Sequence, residues 1–295
     1  MGGIWWVFSA VRGADAHIYN FLSQFNGNWL IDHIAGESEM NGLLRGGLFF
    51  AAYWYFWFAN PPDRSRDQRR RAIIVILIGS LLALALNRTI SFLVPFRARP
   101  MVNPLLMHRP LSIPMTPNLE HWSAFPSDTA TYYFALAFGL AWLSRRLAVP
   151  AMLYTTFWIC LVRVYLGLHY ASDIVVGAAI GVVVVWAALR TDWLQSVVAP
   201  RILARESKPE LFYAAAFLLT FEMADVFDHI RDAVRGMLHA ARVGPHHQLI
   251  FHAVIPACAG AGILAGATWL VIRLRRAHRE AAPHPPLAAP PPGLT

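Results

Sequence analysis

Residues 162–173 read VRVYLGLHYASD and lie between two apolar runs, in a chain that otherwise avoids charge. Arg163, His169 and Asp173 fall inside this one short stretch. Ionisable groups at a membrane boundary are costly and mark function by default. If a helix begins near Tyr170, His169 and Asp173 stand four residues apart on one face. A carboxylate there accepts the proton of one ring nitrogen, fixes the tautomer and leaves the other nitrogen the better nucleophile. Arg163 adds a planar fork suited to a phosphate or carboxylate. Taken singly, each residue reads as a satisfied interfacial polar group; the three together point to chemistry.

The sequence around this stretch is that of a polytopic membrane protein. Of 295 residues, 57% are hydrophobic and 14% charged, against about a quarter charged in soluble domains. Apolar runs of spanning length predict an all-α transmembrane bundle with about seven spans, at 42–60, 72–96, 129–147, 148–167, 172–190, 211–227 and 249–273. The mixed segment 17–33 reads as an interfacial helix. The N-terminal apolar core is too short for a signal peptide, and its tryptophans suit an interface.

The net charge of +8 raises nucleic acid as a partner. The arginines, however, punctuate the apolar runs instead of forming a stripe with interleaved aromatics, which excludes that class. PPDRSRDQRRR (61–71), Arg145 with Arg146, Arg190 to Lys208, and Arg273 to Arg279 fall on one side if seven spans alternate. The positive-inside rule makes that side the cytoplasm of a plasma (inner) membrane. Segments 97–128, 163–173 and 228–248 then face outward, toward the periplasm. Cys160 and Cys258 sit in apolar stretches and form neither a disulfide framework nor a zinc ligand set, so these two residues point to no metal or cofactor.

Two other outward stretches suit an anion. NRTISFLVPFRARP (87–100) supplies Arg88, Arg97, Arg99 and Pro100, and AFPSDTA (124–130) opens a helix behind Pro126 and Ser127. A helix start presents unpaired N–H groups and partial positive charge. Ser127 and Asp128 are equally good helix caps.

In order and spacing the three stretches resemble the type 2 phosphatidic acid phosphatase superfamily, which includes the vanadium haloperoxidases. Its pattern is K-x6-R-P, then P-S-G-H, then S-R-x5-H-x3-D. Arg163, His169, Ser172 and Asp173 fit the third motif, with Val162 in place of the leading serine; the resemblance spans roughly 40–190. It implies that His169 is the nucleophile, forming a phosphohistidine that water hydrolyses, and that Asp173 orients it. Arg99, Arg163 and the Ser127 region would hold the phosphoryl oxygens, without metal.

Two departures stand out. Phe92 occupies the family's lysine position, with Arg88 one turn earlier and Arg97 as candidate replacements. P-S-G-H reads PSDT, so Asp128 and Thr129 replace the glycine and the general-acid histidine; His121 is a candidate substitute donor. Phosphate leaves a lipid diphosphate with little help from an acid, unlike a simple alkoxide. The expected activity is therefore hydrolysis of a phosphorylated membrane lipid, such as a polyprenyl diphosphate. A lipid-linked phosphotransferase and a catalytically silent lipid-phosphate binder are the alternatives.

The expected organisation is an interfacial segment (1–41), a phosphatase-like membrane core (42–192), a two-span hairpin (193–276) and a proline-rich disordered tail (277–295). In the hairpin, Glu222, Asp225 and Asp228 lie along one helix face, and His229, His239, His246 and His247 follow without metal-ligand spacing. Gly177/Gly181 and Gly262/Gly266 allow close helix approach, either within the chain or between two copies in a homo-oligomer.

Overall fold

The computed structural model describes residues 2–59, 65–106, 108–114, 122–227 and 230. The chain divides into two compact units, Met1–Val234 and Arg235–Thr295. The second lies outside the described residues, and with it the expected seventh span, the Gly262/Gly266 pair, the hairpin-loop histidines from His239 onward and the tail. Among the described residues the fold is all-α.

Helices α1 (Gly2–Ser23) and α2 (Trp29–Met40) come first. The single interfacial helix expected over 17–33 is broken at 24–28, where the Asn28 side chain accepts from the N–H groups of Leu30 and Ile31 and so starts α2. Asp32, fully buried, accepts from Gly27 N–H (3.0 Å), from Ser112 N–H (2.7 Å) and Oγ (2.8 Å), and from the Tyr165 hydroxyl. One carboxylate thus ties the α1–α2 turn to the 108–114 segment and to the helix before His169.

A π-helical turn, Leu43–Gly47, leads into α3 (Leu48–Phe58). Helix α4 (Arg66–Leu93) opens on a capping box between Ser65 and Gln68. Part of its basic end is paired: Arg70 lies over Trp57 and bridges Glu206 at 2.7 Å. Helix α5 (Asp128–Leu143) is followed by α6 (Arg145–Leu153), a π-helical stretch Tyr154–Cys160, and α7 (Leu161–Tyr165). Then come α8 (Ala171–Arg190), the short α9 (Ala199–Leu203) and α10 (Pro209–Ala224).

Arg66–Leu93, Arg145–Tyr165 and Ala171–Arg190 are long and apolar enough to cross a membrane. Helices α5 and α10 have 16 residues each, roughly 24 Å at 1.5 Å per residue against a hydrocarbon core of about 30 Å. For α5 the reason is its position. It packs against α4, α6 and α8, with Ala130, Tyr132, Tyr133, Ala135, Leu136 and Ala137 fully buried. It is the bundle's central helix, so protein rather than lipid sets its length.

The α5–α8 contact explains one glycine pair. A Cβ at Gly177 would lie 2.4 Å from the Ser127 carbonyl oxygen, and one at Gly181 would lie 2.0 Å from that of Thr131. This pair is used inside the chain. Helix α10 is held at its C-terminal end by α5, whose Tyr132 and Tyr133 hydroxyls donate to the Met223 and Ala224 carbonyls at 2.7 and 2.9 Å. Asp225, expected at the outer end of this helix, lies 3.7 Å from Arg45; Asp228 and His229 are outside the described residues.

Gly181→Ala is therefore expected to destabilise the detergent-solubilised protein by about 1–3 kcal/mol, the usual cost of overpacking, seen as a lower unfolding midpoint. Gly13→Ala, where an added Cβ meets nothing within 4 Å, is expected to change stability by less than about 1 kcal/mol.

Candidate functional site

The site forms where the C-terminal end of α4 and the N-terminal ends of α5 and α8 converge. The chain leaving α4 pairs briefly with the segment entering α5: Arg97 N–H donates to Ser123 Oγ (3.2 Å) and Ala124 N–H to the Arg97 carbonyl (2.8 Å). It then meets the α7–α8 connection, where Met101 N–H donates to the Gly167 carbonyl (3.0 Å). Gly167 has φ +73°, and a Cβ there would lie 3.0 Å from Met101 Cβ and 3.1 Å from the Tyr19 hydroxyl. Only glycine makes this turn without strain. The turn folds Leu168 and His169 back so that both N–H groups donate to the Arg163 carbonyl, at 2.9 and 3.3 Å.

The His169 side chain is 1% exposed. Its Nδ1 lies 2.8 Å from the Ala124 carbonyl oxygen. A carbonyl only accepts, so the ring proton sits on Nδ1 and Nε2 keeps its lone pair. Nε2 is buried and has no hydrogen-bond partner among the described residues.

The ring partner expected from the sequence was Asp173. Its Oδ2 lies 3.9 Å from Nδ1, beyond hydrogen-bond range. That oxygen accepts instead from Tyr170 N–H at 2.8 Å, and Oδ1 accepts from Arg97. The cause is where α8 starts. Tyr170 is extended (φ −84°, ψ 161°) and α8 begins at Ala171, so His169 and Asp173 do not share a helix face. Asp173 secures the start of α8, and Ala124 orients the ring.

The four arginines are held differently. Arg97 donates to Ser172 Oγ (2.8 Å), to Asp173, and to Asp15 of α1 (2.6 Å), and it lies 4.0 Å above the Tyr170 ring. Asp15 also accepts from Ser172 N–H (2.9 Å) and Oγ (2.6 Å). Arg163 donates to Glu39 of α2 at 2.7 Å. Arg99 donates to the Leu168 carbonyl at 2.8 Å and forms no ion pair among the described residues. Arg88 pairs with Asp128 and lies 4.7 Å from the Trp122 ring centre. The Nε atoms of Arg99 and Arg163 are buried without partners among the described residues. Arg97, expected among the anion ligands, is occupied with carboxylates.

At the second motif, Ser127 caps α5 by accepting from Ala130 N–H (3.3 Å), and its own N–H donates to the Asp173 carbonyl (3.2 Å). Asp128 Oδ1 accepts from Thr129 N–H at 2.8 Å. Thr129 is buried. Phe92, at the lysine position, is 64% exposed on α4, whereas Arg88 one turn earlier reaches Asp128. His121 lies outside the described residues.

Asp15, Glu39 and the Ala124 carbonyl were not anticipated. Motif spacing does not reach the two N-terminal helices, and a backbone acceptor leaves no mark in a sequence.

Burial, reinforced by the positive charges of Arg99 and Arg163, holds the His169 imidazole well below its usual 6.5. Burial, and next the Arg163 charge, pushes the Arg99 guanidinium down to about 10. The arrangement sets a neutral, desolvated imidazole nitrogen among guanidinium groups. In a histidine-labelled sample, NMR titration is expected to place the His169 midpoint below 6.5. Arg99→Gln, which removes one of the causes, moves it upward. The unfolded chain takes up this proton first, so the contribution of the neutral buried ring is lost as pH falls below 6.5.

Residues 93–196 match the family model of the PAP2 superfamily. The Bacitracin transport permease protein BcrC of Bacillus licheniformis is 26% identical over 132 residues, 43% of this chain and 59% of that protein. The chain thus spans less than two thirds of that relative. A transmembrane PAP2-type phosphatidylglycerolphosphate phosphatase from Bacillus subtilis aligns over 61% of this chain and 84% of its own, at 19% identity and a TM-score of 0.41. The matched segment contains Arg97, Arg99, Ser127, Arg163, His169 and Asp173. The segment that carries these motifs is thus the part of this chain that is similar to the PAP2 superfamily.

Proposed function

We propose that the protein is a membrane lipid phosphatase that cleaves a phosphorylated lipid head group, a lipid diphosphate above all, through a phosphohistidine on His169. The observation that carries this reading is the state of one atom. Among the described residues, His169 Nε2 is buried, unprotonated and without a partner, beside Arg99 and Arg163, whose Nε atoms also lack partners.

Nε2 attacks phosphorus, an N–P bond forms, and the bond from phosphorus to the leaving oxygen breaks. Arg99 and Arg163 offset the charge that builds on the equatorial oxygens. The Ala124 carbonyl holds Nδ1–H as the ring becomes cationic. Water then attacks the phosphohistidine, the N–P bond breaks, and inorganic phosphate leaves with His169 restored.

Support for a diphosphate comes from the second motif. Thr129 has a hydroxyl too weakly acidic to protonate a leaving alkoxide, and Asp128 is ion-paired with Arg88, which leaves it an acceptor. A leaving phosphate needs no such proton. Support for an outward-facing site comes from charge. Arg66–Arg71, Arg145–Arg146 and Arg190 lie at the ends of α4, α5 and α8 away from His169, which the positive-inside rule assigns to the cytoplasm.

Purified protein assayed for phosphate release is expected to favour a polyprenyl diphosphate over the matching monophosphate by at least about tenfold, since general-acid help is worth roughly 10²–10⁴. Equal rates on both would remove the diphosphate reading. His169→Ala is expected to lose activity by on the order of 10³-fold or more; retention of full release in that variant would remove the nucleophile. Release of free phosphate, with no phosphorylated acceptor formed, separates hydrolysis from transfer.

A further inference from the structure

Asp128 holds both of its carboxylate oxygens in contacts that a phosphate would make. One oxygen accepts from Thr129 N–H in the first turn of α5, at 2.8 Å, and the other from the Arg88 guanidinium. A helix-start N–H and a guanidinium are two standard donors to a phosphoryl group. The same carboxylate lies within electrostatic reach of Arg163, His169 and Arg99, so it stands among the groups assigned above to the anion. The surrounding polar atoms point to a ligand independently. His169 Nε2, Arg99 Nε and Arg163 Nε are buried without partners among the described residues, on side chains of residues only 1%, 6% and 7% exposed. Buried polar atoms left unpaired are costly and mark where a ligand completes the structure.

We infer that Asp128 is an internal stand-in for the substrate's phosphoryl group, which must displace this carboxylate from Arg88 in order to bind. The inference rests on the phosphate-binding reading of the site and deepens it. A single phosphate gains Arg88 only by evicting Asp128, so the carboxylate acts against small anions. A lipid diphosphate has a second phosphate to place on Arg88 while the first lies against His169, Arg99 and Arg163. Asp128 is thereby a specificity-determining residue, at a position where the family pattern has glycine and no competing charge.

The test is direct binding of inorganic phosphate to the full chain in detergent micelles, by calorimetry or by phosphorus NMR, at one fixed ionic strength. Asp128→Asn keeps the shape and an acceptor for Thr129 N–H but removes the charge; Asp128→Gly removes the group. Both are expected to bind phosphate at least about tenfold tighter than wild type, a gain of about 1.4 kcal/mol. Adding Arg88→Gln to Asp128→Asn is expected to abolish that gain. The shift in unfolding midpoint on adding phosphate gives a second readout, larger in the variants and unaffected by differences in their basal stability. Unchanged or weaker phosphate binding in both single variants would overturn the inference, as would a gain that persists without Arg88. Lipid turnover plays no part in this measurement. A chain that shows the predicted tightening yet releases no phosphate from any lipid would sink the enzymatic reading alone.

Discussion

Four guanidinium groups gather at one end of an apolar bundle, and the cost of taking them out of water governs what surrounds them. Burying an unpaired ion costs several kcal/mol even after relaxation. Arg97 is held between Asp15 and Asp173, Arg163 by Glu39, and Arg88 by Asp128. Arg99 is the exception: its nearest acceptor is the Leu168 carbonyl, and its pKa falls accordingly to about 10. Two of the compensating acids come from α1 and α2, which precede the matched segment 93–196. The N-terminal helices are thus part of the site's electrostatics, because they make a cluster of cations tolerable beside a neutral imidazole.

The same constraint explains which parts of the site were legible in the sequence. Arg163, His169 and Asp173 stand out because charges in an apolar chain are rare and their spacing is fixed. Spacing alone, however, suggested that Asp173 would hold the ring. That inference requires both residues to be helical, and Tyr170 is extended, so the nearest acceptor is a main-chain carbonyl from another segment. Ala124 has no side chain that would advertise this role. Asp15 and Glu39 were illegible for a related reason: an isolated acid on a helix acquires meaning only when the tertiary fold brings an arginine to it.

For the fold, apolar run lengths placed these helices to within six residues at each end: 72–96 became Arg66–Leu93, and 172–190 became Ala171–Arg190. Hydropathy does not separate a helix that faces lipid from one wrapped by other helices. Helix α5 is strongly apolar, yet it has only 16 residues and is packed between α4 and α8. The glycine pair on α8 follows the same logic. Gly-x-x-x-Gly signals close approach without naming the partner, and here α5 takes the place that a second copy would need.

The two replacements in the second motif gain meaning when taken together. A general acid is useful when a poor leaving group must be protonated as it departs. A glycine at the helix start is useful when the substrate's phosphate must reach open N–H groups against no competing charge. Losing only the histidine would weaken catalysis on alkoxide leaving groups and leave binding untouched. Losing only the glycine would burden binding and leave proton supply intact. On the proposed reading, the site with Asp128 and Thr129 does without both, while keeping the neutral Nε2, Arg99 and Arg163. On the proposed reading, such a site is suited to a ligand rich in negative charge whose leaving group is already a stable anion. A second phosphate supplies both properties at once, since it competes for Arg88 and departs without a proton. On that reading Asp128 and Thr129 are complementary.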